Sequence, residues 1–172
     1  AAGDVATFQS TGSNTVQCIN YTKADGTPVV SATGGKVLQV LEDSFTTGIS
    51  SSSSTYADTG LSIAITPSSS SNKILVFASI SGVQKDTGNT RLLVNVLRDS
   101  TEISEHGQAG FTGDAITIGV GSSDMMVLDS PATASEVTYK VEFKSELNLA
   151  TVHISVNNNS RPSLVLMEID GT

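Results

Sequence analysis

Short segments in which apolar and polar residues alternate recur along most of the chain. In the segment 59–66, Leu and Ile alternate with Ser, Ala and Thr, which is the pattern of a half-buried β-strand. Pro67 and the serines after it interrupt this pattern, because proline cannot donate to a β-ladder and short polar side chains favour turns. The apolar pattern then resumes, and it predicts a second strand over 73–83.

Similar patterns predict a chain made of strands, with turn-forming residues about every 8–12 positions. Further strands are predicted over 37–41, 91–98, 101–104, 115–120, 125–128, 135–145, 151–156 and 163–169. The segments 48–55 and 105–113 are predicted to be loops, and 121–123 to be a turn. Parallel pairing needs long crossover connections, which are absent, so the sheets should be mainly antiparallel. The pattern favours an all-β, antiparallel jelly-roll sandwich of about 8–10 strands.

Residues 1–33 differ from the rest and are predicted to be an N-terminal β-hairpin arm. A strand is predicted over 16–21, followed by a turn at the Asp25-Gly26 pair and a short partner strand over 28–30. An isolated hairpin is only marginally stable in water, so the arm should dock on something. Residues 34–172 then form the jelly-roll domain.

Several predicted strands are apolar on both faces, although an outer strand face is normally polar in a sandwich. The outward residues in question are Leu75, Phe77, Leu93, Leu97, Val165 and Met167. Exposed together, they exceed the apolar patch that a monomer usually tolerates, which predicts a subunit interface in a closed oligomer. The alternative is that these strands are covered by loops of the same chain.

Composition excludes several classes of function. The chain has 172 residues, of which 15% are charged, and its net charge is −8. Its basic residues are scattered, whereas binding to phosphates requires clustered Lys and Arg, so nucleic-acid and anionic-membrane partners are not expected. No apolar run approaches the ~20 residues of a membrane-spanning helix, and the first residues lack the pattern of a signal peptide.

The sequence contains no recognisable catalytic, cofactor-binding or metal-binding motif. It has no Gly-x-Ser-x-Gly, and no pair of carboxylates stands in a known hydrolase motif. Glu102, Glu105 and His106 lack a fixed ligand spacing, and the Asp86–Asn89 segment is ordinary turn chemistry. We therefore expect no enzyme activity. His153 is predicted to be a surface or interface residue, and Cys18, the single cysteine, to be a buried thiol.

Some loop residues could contact a glycan, because aromatic faces and planar polar groups suit sugars. The candidates are Tyr56, Phe111, Asn157, Asn158, Asn159 and Arg161. The alternative is that they are ordinary turn and packing residues.

Three phrases of the sequence resemble a known family. They are GGKVLQV at 34–40, TGLSIAITPSSSSNKILVFASISG at 59–82 and SLVLMEI at 163–169. Together they resemble the C-terminal knob domain of virion structural proteins from tailed phages, notably marine and cyanobacterial ones. The resemblance implies a jelly roll similar to the C1q and tumour-necrosis-factor knobs, assembled as a homotrimer on a phage particle. It implies no catalytic residues.

Two functions agree with this resemblance. The first is a capsid decoration or cement trimer, made in the bacterial cytoplasm and displayed on the virion surface, whose arm docks on the major capsid protein. The second is the distal knob of a tail fibre, attached to a fibre shaft, which recognises a host-surface glycan. The first residue is Ala1 rather than Met, which fits either removal of the initiator Met before a small residue or a fragment of a longer fibre.

Overall fold

The computed structural model describes residues 3–25, 35–108, 117–158 and 160–171 of the chain. The chain divides into two compact units, Ala1–Thr33 and Gly34–Thr172. Every described strand pairing is antiparallel, and the only helical element among the described residues is the 3-10 turn Val156–Asn158. The predicted all-β, antiparallel class is therefore confirmed.

The first unit contains a two-stranded hairpin. Strand β1 (Val5–Gly12) pairs with β2 (Thr15–Thr22), and the two-residue turn between them has Asn14 at a φ of 64°. The predicted strand at 16–21 is confirmed by β2. Its partner is β1, however, a segment for which the sequence predicted no strand. The predicted partner strand at 28–30 lies outside the described residues.

The second unit contains two sheets. Its strands are β3 (Val37–Ser44), β4 (Ile49–Ser51), β5 (Ala57–Ile65), β6 (Lys73–Lys85), β7 (Leu92–Arg98), β8 (Thr101–Gln108), β9 (Ile118–Asp129), β10 (Val137–Ser145), β11 (Val152–Ile154) and β12 (Ser163–Ile169). The smaller sheet has the order β5-β10-β7-β8. The larger sheet has the order β3-β12-β6-β11-β4, and β9 also pairs with β6.

Three segments that the sequence predicted to be loops or turns form β-strands, wholly or in part, in the structure. Part of the serine-rich loop forms β4, and β8 continues to Gln108, into the predicted loop at 105–113. Residues 121–123 lie inside β9 and do not form a turn. Gly121, at a φ of 88°, lies at a register shift opposite Val83, and this bulge lets the strand continue pairing with β6.

The core lies between the two sheets and is built from the residues of each strand that point inward, which are every second residue along the strand. The prediction from the sequence is confirmed for β5 and β10, whose apolar positions are buried while their neighbours are not. The larger sheet contributes inward residues such as Ile74, Val76 and Leu166, which are at most 1% exposed. Burial of this kind is the main source of stability in the fold.

Two polar clusters connect parts of the second unit. Arg98 of β7 donates to both carboxylate oxygens of Asp129 in β9, at 2.6 and 2.8 Å, and the buried Tyr139 of β10 donates to the same carboxylate at 2.6 Å. Burial, and then the hydrogen bond to Asp129, raise the pKa of Tyr139. Because β9 belongs to the larger sheet and the other two strands to the smaller one, this cluster links the sheets.

The second cluster surrounds Glu168 of β12, which is 1% exposed. Its carboxylate accepts hydrogen bonds from Asn72 Nδ2 at 2.6 Å, from Gln39 Nε2 at 2.6 Å, and from the amide and hydroxyl of Ser68 at 2.7 and 2.8 Å. Burial alone would raise the pKa of Glu168, but the hydrogen bonds from Asn72, Gln39 and Ser68 outweigh it and lower the pKa below its usual value. The loop between β5 and β6 is thereby attached to β12.

Candidate interaction surface

The outer face of the larger sheet carries two adjacent rows of side chains that point away from the core. Residues directly opposite each other on neighbouring strands share a face, so the register defines the rows. Across β3, β12, β6 and β9 the first row is Val40, Met167, Leu75 and Leu128. The second row is Glu42, Val165, Phe77 and Met126. We call the seven apolar residues of these rows the apolar face.

The apolar face is accessible to solvent in the single chain. Met126 is 71% exposed, Val40 55%, Leu128 51% and Phe77 39%, and the other three members are half-buried. Large contiguous apolar patches of this kind are uncommon on monomeric proteins and mark interaction sites. The face therefore has the chemistry of a protein–protein interface.

Polar residues border the apolar face along one side. The next row across the same four strands is Ser44, Ser163, Ser79 and Asp124. Within it, the Ser79 hydroxyl donates to the Asp124 carboxylate at 2.7 Å. Glu42, the charged member of the second row, lies 3.8 Å from the guanidinium of Arg161 at the β3 edge. An apolar centre with a polar rim is the usual anatomy of an interface.

The structure brings together four of the six predicted interface residues. Leu75, Phe77, Val165 and Met167 all belong to the apolar face. The other two do not: Leu93 and Leu97 lie on β7, in the smaller sheet.

The prediction that all six residues are exposed together is therefore wrong for this pair. Leu93 is only 7% exposed, and Leu97 is half-buried. Their cross-strand neighbours on β10 are Lys144 and Lys140, whose long aliphatic stems can cover apolar surface.

Sequence reasoning missed Val40, Met126 and Leu128 as members of the apolar face. The run at 125–128 is apolar at every position, so a strand there has apolar residues on both faces, and this was the signal for Met126 and Leu128. In the structure Met125 is buried, whereas Met126 is exposed. Val40 gave no such signal, because its outward direction depends on the pairing of β3 with β12.

The predicted glycan contacts do not form one site among the described residues. Tyr56 donates its hydroxyl to Glu105, and the ammonium of Lys144 lies 4.1 Å from the centre of its ring. Burial, and then Glu105, raise the pKa of Tyr56. These partners belong to β8 and β10 of the smaller sheet, so Tyr56 is engaged in packing there.

The remaining glycan candidates are separate from Tyr56. Asn158 accepts a hydrogen bond from the Gly48 amide at 2.6 Å, and Arg161 donates to the Ser44 hydroxyl at 2.9 Å. Phe111 and Asn159 lie outside the described residues, as does the side chain of Asn157.

The prediction of a buried thiol is wrong, because Cys18 is exposed. Every residue of β1 and β2 is exposed, so no residue of this hairpin has the cover that would bury a thiol. His153 is half-buried, and its Nε2 lies 3.2 Å from the Asp86 carboxylate. Ser155, two residues after His153, is fully buried, and its hydroxyl donates to the Thr46 carbonyl at 2.8 Å.

An open cleft of about 380 Å³ lies beside β4, β6 and β11, and Ser50, Gln84 and His153 contribute polar side chains to its lining. The nearby turn at 86–89 is stabilised by the buried Lys85, whose ammonium donates to the Asp86 and Gly88 carbonyls at 3.1 and 2.7 Å. In the described part of the chain, no cluster of three or more His, Cys, Asp or Glu residues could hold a metal ion.

Comparison with known proteins gives no family assignment: no family model and no curated protein matches the chain. Among the described residues, no helix has the length and apolar character needed to cross a membrane. The apolar face is thus the feature of the described structure from which a function can best be argued.

Proposed function

We propose that this protein is a non-enzymatic structural protein of a phage virion surface, which assembles as a homotrimer through the apolar face. The observation that carries the proposal is the presence of seven apolar side chains in two rows on the outer face of the larger sheet, four of them exposed and three half-buried. A folded monomer does not need this surface, because its core already lies on the other side of the same sheet.

The second unit, Gly34–Thr172, which we call the body, is proposed to be a jelly roll of the kind found in the C1q and tumour-necrosis-factor knobs. The strand order supports this assignment. The chain crosses between the sheets at each connection from β4 to β7, and again at each connection from β8 to β11. Repeated crossing between two antiparallel sheets is what the paired Greek keys of a jelly roll require.

Self-association is the use of the apolar face that fits the charge of the protein. Identical chains with a net charge of −8 repel one another, so they associate best through surfaces without charge. Seven of the eight positions in the two rows are uncharged, and Glu42, the eighth, lies at the β3 side of the face. Closed cyclic symmetry buries one such patch in every copy, and the trimer is the form that the family resemblance implies.

The division of the chain into two units supports a proposal for how the trimer is attached to the particle. We propose that the first unit attaches the trimer to the major capsid protein, and that the second unit is displayed outward as a decoration or cement subunit. The all-exposed hairpin supports this role, because two strands without further cover are marginal in water and gain stability by docking.

The test is the mass of the purified chain in solution. Light scattering and sedimentation at micromolar concentration should give three times the chain mass of 17.7 kDa. A monomer at this concentration would remove the proposal, and a stable dimer would remove its trimeric part.

The alternative is the distal knob of a tail fibre that binds a host-surface glycan. The observation that favours it is the open cleft lined by Ser50, Gln84 and His153, because hydroxyl, amide and imidazole groups all hydrogen-bond to sugars. Counting copies per particle separates the two functions: hundreds of copies indicate decoration, and a handful indicates a fibre. Binding to host-surface glycan that is lost in Gln84→Ala would support the knob.

A further inference from the structure

The hairpin of the first unit has one apolar face, which its pairing register defines. Directly opposite pairs on this face are Ala6 with Tyr21, Phe8 with Cys18, and Ser10 with Val16. The other face carries Val5 with Thr22, Thr7 with Asn20, and Gln9 with Gln17. One side of the hairpin is therefore largely apolar and the other largely polar.

A β-bulge at Ile19 creates this separation. The register shifts between Thr7 and Phe8, so that Ile19 is the additional residue in β2. Without it, strict alternation would place Cys18 on the face opposite to Tyr21. With it, Cys18 lies opposite Phe8 and joins Tyr21 on one side. Such bulges reset the direction of side chains along a strand.

The apolar side of the hairpin carries exposed side chains. Val16 is 71% exposed, Phe8 61% and Tyr21 43%, and Cys18 is exposed as well. Strands β1 and β2 pair only with each other among the described residues, so each also has an open edge. A hairpin in this state gains stability from any apolar surface that covers it.

The absence of charged residues from both strands bears on which kind of partner the hairpin fits. Neither strand contains Asp, Glu, Lys or Arg. Asp4, just before β1, receives hydrogen bonds from the Tyr21 hydroxyl and from the Ala24 amide. A partner that recognises charge would find none on the strands, whereas an identical hairpin meets no charge repulsion there, although the whole chain carries −8.

We propose that the apolar hairpin sides of different copies pack against one another in the assembled protein, so that each copy covers Phe8, Cys18 and Tyr21 of another. This inference rests on the proposed self-association of the body. Once the bodies are joined, the hairpins are held at a high effective concentration, and weak apolar packing is then sufficient. The polar side and the open edges stay available for the capsid.

The single cysteine of the chain reports on this packing directly. The full-length protein is treated with a short bis-maleimide, which joins two thiols only when they are close. We expect a covalent dimer that includes at most two of every three chains, formed at a rate independent of protein concentration. Labelling of single chains alone, or a rate that rises with concentration, would overturn the inference.

Two matched variants test which side of the hairpin is used. Phe8→Lys places an ammonium on the apolar side, and Gln9→Lys places it on the other side of the same strand. Cross-linking at Cys18 should fall by more than about tenfold in Phe8→Lys, because burying an unpaired charge costs more than the ~1.4 kcal/mol of a tenfold change. In Gln9→Lys it should stay within about twofold, since the charge remains in solvent. Equal losses in the two variants would contradict the proposal.

Sedimentation of the same samples separates this inference from the proposed function. A trimeric mass without Cys18 cross-links would leave the body assembly intact and reject the hairpin packing. Met126→Cys provides a competing thiol on the apolar face of the body. If Cys18 were cross-linked to the introduced thiol at position 126 in preference to Cys18 of another copy, the hairpin would cover the body, and the inference would be rejected.

Discussion

The two outer faces of the body differ in chemistry although both cover the same core. The larger sheet presents the apolar face, whereas the smaller sheet presents charged side chains from β10 and β8. On β10, Lys140 and Glu142 form an ion pair at 2.7 Å, and Lys144 lies over the ring of Tyr56. On β8, Glu105 accepts the hydroxyl of that tyrosine. One face is therefore suited to water and the other to another protein surface.

This difference shows which apolar residues the fold needs. A two-sheet sandwich is stabilised by one apolar face per sheet, and β5 and β10 meet this minimum with strict alternation. Strands β6 and β12 exceed it, because their outward positions Leu75, Phe77, Val165 and Met167 are also apolar. The excess has no role in the core, and it is the surface on which the proposed assembly depends.

The largest effect is expected from placing a charge on each face in turn. Phe77→Asp should raise the dissociation constant of the proposed oligomer by at least about 100-fold, because a buried unpaired carboxylate costs about 3 kcal/mol or more. Lys140→Asp, on the opposite face, should change it by less than about threefold. Sedimentation across a concentration series measures both.

Thermal unfolding of the two variants is the control for folding. Each should retain a cooperative transition, since both side chains point away from the core. If Phe77→Asp and Lys140→Asp weakened assembly equally, the distinction between the two faces would be lost.

A smaller effect, on stability rather than assembly, is expected on the inner side of the larger sheet. Glu168→Ala should lower the free energy of unfolding by roughly 2–4 kcal/mol, because it leaves the donors of Asn72, Gln39 and Ser68 without their acceptor. Glu136→Ala, at an exposed glutamate in the loop before β10, is the matched control and should change it by less than about 0.5 kcal/mol. Chemical denaturation measures both values.

The stability contributed by Glu168 should depend on pH. Its pKa is lowered in the folded state, so its carboxylate stabilises the fold above the unfolded pKa of about 4.3. This stabilisation is lost as the pH falls through the lower, folded-state pKa. The difference in unfolding free energy between the wild type and Glu168→Gln should therefore shrink between pH 6 and pH 3. A difference that is constant over this range would show that the carboxylate charge is not what matters.

The smallest effect is expected from the charged face. Lys140→Ala removes the ion pair with Glu142, in which the lysine side chain is 30% exposed. Ion pairs at the surface contribute little to stability, so the free energy of unfolding should change only slightly and assembly should not change. A loss of assembly in Lys140→Ala would mean that the charged face is also an interface.

By itself the sequence determined the all-β class and most of the strand positions, because the period of two is a local property of each segment. For the same reason it identified the inward residues of β5 and β10, and the outward apolar positions of β6 and β12. It misplaced β4, the end of β8 and the middle of β9. In β9, only pairing across the sheet shows the register shift beside Gly121.

The tertiary structure alone decided which outward residues become neighbours. Sheet order joined Val40, Met126 and Leu128 to Phe77 and placed Leu93 in the other sheet. In the hairpin, register joined Cys18 to Phe8 through an additional residue that no local pattern indicates. Order and register depend on contacts between segments distant in sequence, and a shift of one residue moves a side chain to the opposite face. The outward apolar residues of individual strands could therefore be predicted from the sequence. The extent of the candidate interface depends on which strands are neighbours in the sheet.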